Sequence, residues 1–291
     1  MLQVILNILV GLFLYCLIGT SFSIIYRTNR FFDLAQGIII TTASYLVYLF
    51  TIRTGLSVFT SLFISLVGSI CIAVFYHQFI YKPLQKRKVQ SWQMLIASLG
   101  VYIVLQNMVS MIWGDNMLSF RTWPVKEGHQ ILGAYITDVQ IVIIIACSIL
   151  LSLSWLFIEK TAIGQKIKAV SSNPELASIL GISKDKVILW SFVIGSGLAA
   201  CTGILIASDT DMTPSMGFNW LLYGVVAMII GGMGKMRYLV LGALLLATVQ
   251  HLSAYYLDSK WMNATAYIIL IAFLYFRPYG FSGEQLKKAE I

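Results

Sequence analysis

The stretch IVIIIACSILLSLSWLFI, residues 141–158, runs without a single charge. A bilayer core about 30 Å thick asks for about 20 such residues from a helix that crosses it. Comparable runs recur at roughly 3–26, 34–51, 56–81, 91–113, 138–158, 186–207, 218–233, 236–256 and 261–276. The expected fold is therefore all-α: a polytopic transmembrane helical bundle of about eight or nine spans. The second and seventh runs are short and interrupted by glycine, so either is a candidate broken helix. Charged residues make up 11% of the chain, against about 25% in a soluble domain, which weighs against a large soluble helical protein. No Pro/Ser-rich linker separates the runs, and residues 1–291 are read as a single transmembrane domain.

The opening MLQVILNILVGLFLYCLIGT has no basic leader and no A-x-A cleavage pattern, so it is expected to be a first transmembrane helix and not a signal peptide. Cys16, Cys71, Cys147 and Cys201 all lie in apolar runs without a C-x-x-C pair. They read as small hydrophobes, not as a disulfide or metal set. His77, His129 and His251 are scattered, without metal-ligand spacing.

The net charge of +8 needs no nucleic acid to explain it, because the basic residues segregate. One set of loops holds Arg27 and Arg30; Lys82, Lys86, Arg87 and Lys88; Lys160, Lys166, Lys168, Lys184 and Lys186; Lys235 and Arg237; and Arg277, Lys287 and Lys288. The opposite loops hold only Arg53, Arg121, Lys126 and Lys260. By the positive-inside rule the first set is cytoplasmic, with the N-terminus outside and the C-terminus inside. The external loop, roughly 114–137, carries Trp123 and Pro124, with Trp113 just before it; the aromatics are read as interfacial anchors or as a docking surface for an external partner. The loop after the sixth span is acidic, with Asp209 and Asp211.

The largest cytoplasmic loop, about 159–186, contains SSNPELASILGISKDK. Asn173 suits an N-cap, Pro174 the first helical position, and Glu175 the positive end of the helix dipole. Gly181 is placed as a terminator. The spacing predicts a two-turn helix over Pro174–Leu180, with Ala177 and Gly181 on one side. So short a helix must lean on something. It is either a connector flat on the membrane or a docking knob for an ATPase.

Beyond this physics, TAIGQKIKAVSSNPELASILGISKDKVILWSFVIGSGLAACTGIL resembles the coupling segment of ABC-importer permeases of the branched-chain amino-acid (LIV) type, at Thr161, Gly164, Lys168, Ala169, Asn173, Pro174, Glu175, Ala177, Leu180 and Gly181. FFDLAQG (31–37), YKPLQKRK (81–88), ASLGVYIVLQN (97–107), IIGGMGKM (229–236) and FRPYGFSG (276–283) resemble further motifs of the family in the family's order. Two features depart from its pattern. Asp33 stands where Asn is usual, either in the translocated path or paired with Arg30 or Arg27. Lys235 follows the last glycine of the G-G-x-G turn.

The resemblance implies a permease subunit without its own cofactor, with ATP bound on partner chains. It implies a second related permease, two ATP-binding-cassette ATPase subunits, an external solute-binding protein, and a bacterial inner-membrane location. Branched-chain or other small amino acids are the implied substrate, with urea and short amides as the alternative. A secondary transporter that needs no ATPase is a rival of a different class. No G-x-x-x-x-G-K-[ST] stretch is present to cradle ATP phosphates. Gly164, Asn173, Pro174, Glu175, Ala177 and Gly181 are expected to couple to the ATPase. Asp33, Gln36, Gly37, Gln106 and Asn107 are candidates for the path, and Gly231, Gly232 and Gly234 for a gate or close packing. Thr41, Thr42 and Ser44 are expected to make interhelical hydrogen bonds, and Gly195, Ala199 and Gly203 form a small-residue row for helix packing.

Overall fold

The computed structural model describes residues 1–87, 89–121, 128–131, 133–232, 236–277 and 280–282. In chain order the elements are α1 (Leu2–Asn29), α2 (Gln36–Tyr48), a π-helical turn (Leu49–Arg53), α3 (Val58–Tyr76), a second π turn (His77–Tyr81), α4 (Lys82–Lys86) and α5 (Ser91–Trp113). A short hairpin of β1 (His129–Ile131) and β2 (Ala134–Ile136) follows. Then come α6 (Asp138–Lys160), α7 (Ala162–Ser172), α8 (Pro174–Ile179), α9 (Lys184–Asp209), α10 (Met216–Gly231), α11 (Met236–Tyr256) and α12 (Met262–Phe276). Among the described residues, seven helical stretches are long and apolar enough to cross a membrane. The second and seventh expected spans are the shorter α2 and α10; neither is broken at a glycine, since Gly37 is the second residue of α2 and α10 runs unbroken through Gly224.

The helices pack into two compact units. One comprises Ser21–Arg121 and Ser152–Leu221, and its centre is α2. Eleven of the thirteen residues of α2 are buried, as befits a helix apolar around its whole circumference. Around it, α3 and α5 each bury only 22% of their apolar window and turn the rest, including Phe59, Phe63, Ile103 and Met111, outward as lipid-facing surface.

α2 begins inside this unit. Its first residue, Gln36, donates to the Ser21 hydroxyl, and Ser21 donates to the Gly195 carbonyl at 2.7 Å. Ser21 lies eight residues before the end of α1, about 12 Å at 1.5 Å per residue. The segment after Arg30 therefore turns back along α1, with Phe32 against Phe22 and Tyr26. α2 starts deep, which explains its shortness. Where it meets α10, Gly37 and Gly217 are back to back; a Cβ on Gly217 would lie 2.0 Å from the Gly37 carbonyl oxygen. The Thr41 hydroxyl accepts the Gly217 N–H at 3.1 Å, and Ser44 donates to the Gly203 carbonyl at 2.8 Å. Both are the interhelical bonds expected of small polar residues in a membrane bundle.

Loop contacts in this unit sort by end. Lys82 meets Asp185 at 4.0 Å, Gln85 donates to Asn29 at 3.0 Å, and Arg30 donates to the Ser171 carbonyl. These join the basic loops to one another. At the other end Leu118 bridges Met212, and Arg121 donates to the Asp209 carbonyl and pairs with Asp211. Each contact joins loops assigned to the same side by the charge pattern.

The other unit comprises Met1–Thr20, Thr122–Leu151 and Leu222–Ile291. Here α11 and α12 form a hairpin fastened by Gln250 donating to the Met262 carbonyl at 3.3 Å and by Ser253 with Thr265 at 3.1 Å. At one end Gln3 bonds both backbone groups of Tyr135 in β2. The hairpin was not foreseen in the 114–137 loop, because three-residue strands carry no readable alternation. At the other end the Phe281 N–H donates to the Ile230 carbonyl and the Ser282 N–H to the Gly231 carbonyl, so residues 281–282 pack on the last turn of α10.

Candidate functional site

The surface helix α8 is built as its sequence dictates. The Asn173 side chain accepts from the N–H groups of Glu175 and Leu176 at 3.0 and 3.1 Å, and Pro174 occupies the first turn. Gly181, at φ +77°, turns the chain out of the helix, a conformation that costs a non-glycine residue about 1–2 kcal/mol. The helix ends one residue before the expected Leu180.

Its faces differ from expectation. Ala177, expected on the docking side, is 2% exposed and packs inward with Ile167, Val170 and Val187. That small cluster ties α7, α8 and the start of α9 into one body, and Ala177 is small because the body closes there. Gly164 is also internal: a Cβ on it would lie 2.4 Å from the carbonyl oxygens of Phe157 and Ile158, where the chain turns from α6 into α7. The outward face consists instead of Leu176, Ile179 and Leu180, the last two 80% and 78% exposed. Sequence reasoning gave none of these three residues a docking role. The signal was there: a capped surface helix whose apolar residues exceed what one buried alanine requires.

The second group lies at the start of α2. Asp33 accepts from the Tyr81 hydroxyl at 2.6 Å and from the Ala35 N–H at 3.1 Å, and so caps the entry to α2. The expected pairing with Arg30 is replaced by this one, and Arg30 turns to the Ser171 carbonyl. Burial pushes the Asp33 carboxyl up, to about 7, while the Tyr81 hydroxyl, the Ala35 N–H and the nearby Tyr76 hydroxyl pull it back. Ser98 completes the turn, accepting from the Leu34 N–H and donating to the Phe32 carbonyl. Gln36 and Gly37 are buried just beyond.

Gln36 is buried, whereas Gln106 is half-buried on α5. Asn107 is exposed on the side of α5, and its amide bonds back to the Ile103 carbonyl at 2.7 Å. Its side chain thus presents a polar group on a membrane-facing surface, a costly arrangement unless a cavity or another chain meets it. Gly231, the last residue of α10, and Gly232 are buried; a Cβ on Gly231 would lie 2.4 Å from the Tyr238 carbonyl oxygen, so close packing accounts for it. Gly234 lies outside the described residues. Among those residues no cluster of His, Cys, Asp or Glu is placed to hold a metal ion.

Short helices seated inside a bundle of membrane-spanning helices, with a capped apolar knob at the basic end, define a membrane transport subunit. The chain belongs to the family described as "Branched-chain amino acid transport system / permease component", which matches residues 4–276. It is 29% identical to the high-affinity branched-chain amino acid transport system permease protein LivH of Escherichia coli (strain K12), over 93% of this chain and 91% of that one. It is 24% identical to the corresponding permease protein BraD of Pseudomonas aeruginosa, over 93% and 92%. Among solved structures, PsaBC from Streptococcus pneumoniae in complex with Fab shares the fold, with a TM-score of 0.52 at 12% identity over 94% of this chain and 91% of that chain.

Proposed function

We propose that this chain is the transmembrane permease subunit of an ATP-binding-cassette importer that moves branched-chain or other small amino acids across the bacterial cytoplasmic membrane. The observation that carries the reading is the α8 knob. Leu176, Ile179 and Leu180 stand exposed on a helix that its own α7 and α9 already support. An exposed apolar face on a membrane protein's polar side marks a contact for another protein. ATP is bound and hydrolysed on two separate ATPase subunits, which seat on this knob and drive it. A second related permease completes the path, and an external solute-binding protein delivers the substrate. Residues 1–291 act as one transmembrane domain, with the N-terminus outside and the basic loops in the cytoplasm.

The match to relatives named for branched-chain amino acids, over more than nine-tenths of the chain, favours this substrate class over urea and short amides. Family membership together with the exposed knob favours the ATP-driven reading over a secondary transporter. Asp33, Gln36, Gly37, Gln106 and Asn107 are assigned to the path or its immediate support, and Gly231, Gly232 and Gly234 to the packing of the gate.

The test is purification from the native membrane in mild detergent, with the co-purifying chains identified. Wild type is expected to bring an ATPase with it. The double variant Ile179→Glu with Leu180→Glu changes exposed side chains only, so it is expected to keep the fold and lose at least nine-tenths of the ATPase. An ATPase retained equally by both proteins, or absent from both, refutes the docking role of α8. For the path, Asn107→Leu is expected to lower leucine uptake at least tenfold at normal abundance; unchanged uptake would remove Asn107 from it.

A further inference from the structure

Arg30 has φ +59°, the only left-handed backbone conformation of a non-glycine residue among the described residues. An L-residue with a long side chain adopts this region only against steric crowding, so the surroundings must hold it there. Two contacts do. The Arg30 N–H donates to the Tyr26 carbonyl at 2.8 Å, closing the last turn of α1. The guanidinium reaches to the Ser171 carbonyl in the last turn of α7. That carbonyl is one of the four that a helix leaves without an internal partner, at the negative end of its dipole, so a cation is the fitting cap.

What lies on each side of this contact gives it meaning. On one side, α7 is fused to the knob through Ile167, Val170, Ala177 and Val187, and Asn173, two residues after Ser171, caps α8 itself. On the other side, three residues after Arg30, Asp33 is fixed to Tyr81 and to the entry of α2, and Ser98 holds both flanks of the turn. α2 in turn is locked against α9 and α10 at Gly203 and Gly217. Besides the exposed Lys82–Asp185 pair, movement of the knob therefore has two routes to the buried centre of this unit. One is the covalent path from α8 into α9. The other is the Arg30 guanidinium.

We infer that Arg30 is a positioning residue, a strut that carries displacement of the α7–α8 knob to the N-terminus of α2. The inference rests on the functional reading given above, in which an ATPase drives the knob. The strut sets how much solute moves per ATP, and docking of the ATPase is left to α8. A residue that served only to stabilise the fold would change uptake and hydrolysis together.

The experiment uses the complex purified from the native membrane, reconstituted in proteoliposomes, with radiolabelled leucine as the transported probe and phosphate release as the measure of hydrolysis. Arg30→Asn is the first variant, because Asn tolerates the left-handed region and is too short to reach Ser171. It is expected to assemble, to hydrolyse ATP within twofold of wild type, and to move at least tenfold less leucine per ATP. Arg30→Lys keeps a cation over the α7 terminus and is expected to fall between the two. Should Arg30→Asn not accumulate, Arg30→Gln, neutral and shorter than arginine, is read in the same way. An unchanged ratio of leucine to ATP overturns the strut, as does a parallel fall of both activities in an intact complex. Absence of ATP-driven uptake in wild type overturns the importer reading itself and the strut with it, an outcome distinct from a failure of Arg30 alone.

Discussion

Gly203→Val is expected to abolish accumulation of the folded protein, whereas Gly100→Ala leaves it unchanged. Both glycines lie within apolar helices, yet their surroundings differ. A Cβ on Gly203 would lie 2.1 Å from the Ile40 carbonyl oxygen and 2.8 Å from its carbon. These are backbone atoms of the buried α2, which cannot swing aside as a side-chain tip would. Overpacking a closed core commonly costs about 1–3 kcal/mol and occasionally more. Gly203→Ala should therefore reach about 3 kcal/mol, and valine, with two further methyl groups against the same backbone, should cost enough more to use up most of the roughly 5–15 kcal/mol by which a domain is stable. Ser44 would also lose its bond to the Gly203 carbonyl as the helices separate. A Cβ on Gly100 meets nothing within 4 Å, and alanine there is neutral or favourable by up to about 1 kcal/mol. Gel filtration of the solubilised variants and their melting temperatures decide the matter. A Gly203→Val protein that elutes and melts like wild type would show that α2 and α9 do not meet as described.

The second large effect is on pH dependence and comes from Asp33. Its carboxyl is pushed up from 3.8 to about 7 by burial, against the hydrogen bonds from Tyr81 and Ala35. The folded protein therefore holds this proton over a range in which the unfolded chain has released it. Below pH 4 both states are protonated and no penalty applies. As the pH rises through the interval to about 7, stability falls, because the folded state binds more protons. Above that the penalty is complete, with a ceiling of about 4 kcal/mol for a displacement of about three pK units. Asn at this position keeps an acceptor for Tyr81 and Ala35 and carries no charge. Asp33→Asn is expected to be more stable than wild type by roughly 1–3 kcal/mol at pH 8, with the advantage shrinking towards pH 5. Melting both proteins at the two pH values is the check. Parallel pH profiles would mean that Asp33 does not titrate in this range.

The exposed ion pairs warrant no comparable prediction. Lys82 with Asp185 and Lys168 with Glu159 are at least a third exposed, and such pairs contribute about 0–1 kcal/mol. The value of the first is to show that its two loops lie at the same end.

Much of the architecture was legible because lipid leaves a chain few options. Long apolar runs became helices close to the residues expected, but the glycines of α2 and α10 did not break them, and α2 is short because it starts deep. The cap at Asn173 and the stop at Gly181 were legible because both are local chemistry, settled within a few residues. The Gly195–Ala199–Gly203 row was legible as packing, since small residues at every fourth position serve close helix contact. The direction of Ala177 was not. Spacing places Ala177 and Gly181 on one side of a helix, but it does not say whether that side faces α7 and α9 or the surroundings. Asp33 was misjudged for a related reason: Arg30 and Arg27 are near in sequence, while Tyr81 is 48 residues away and arrives only through the packing of α3 beside α2.

The sequence by itself determined the helical class and the cap and stop of the knob. These follow from transfer free energies and local backbone preferences, which act within a span or a turn. Only the tertiary structure decided which glycines are indispensable, which carboxyl is buried against a tyrosine, and which residues of the knob remain for a partner. Those properties depend on what stands opposite a residue. In a bundle where every helix is apolar, no local pattern names the neighbour; contact between α2, α9 and α10 does.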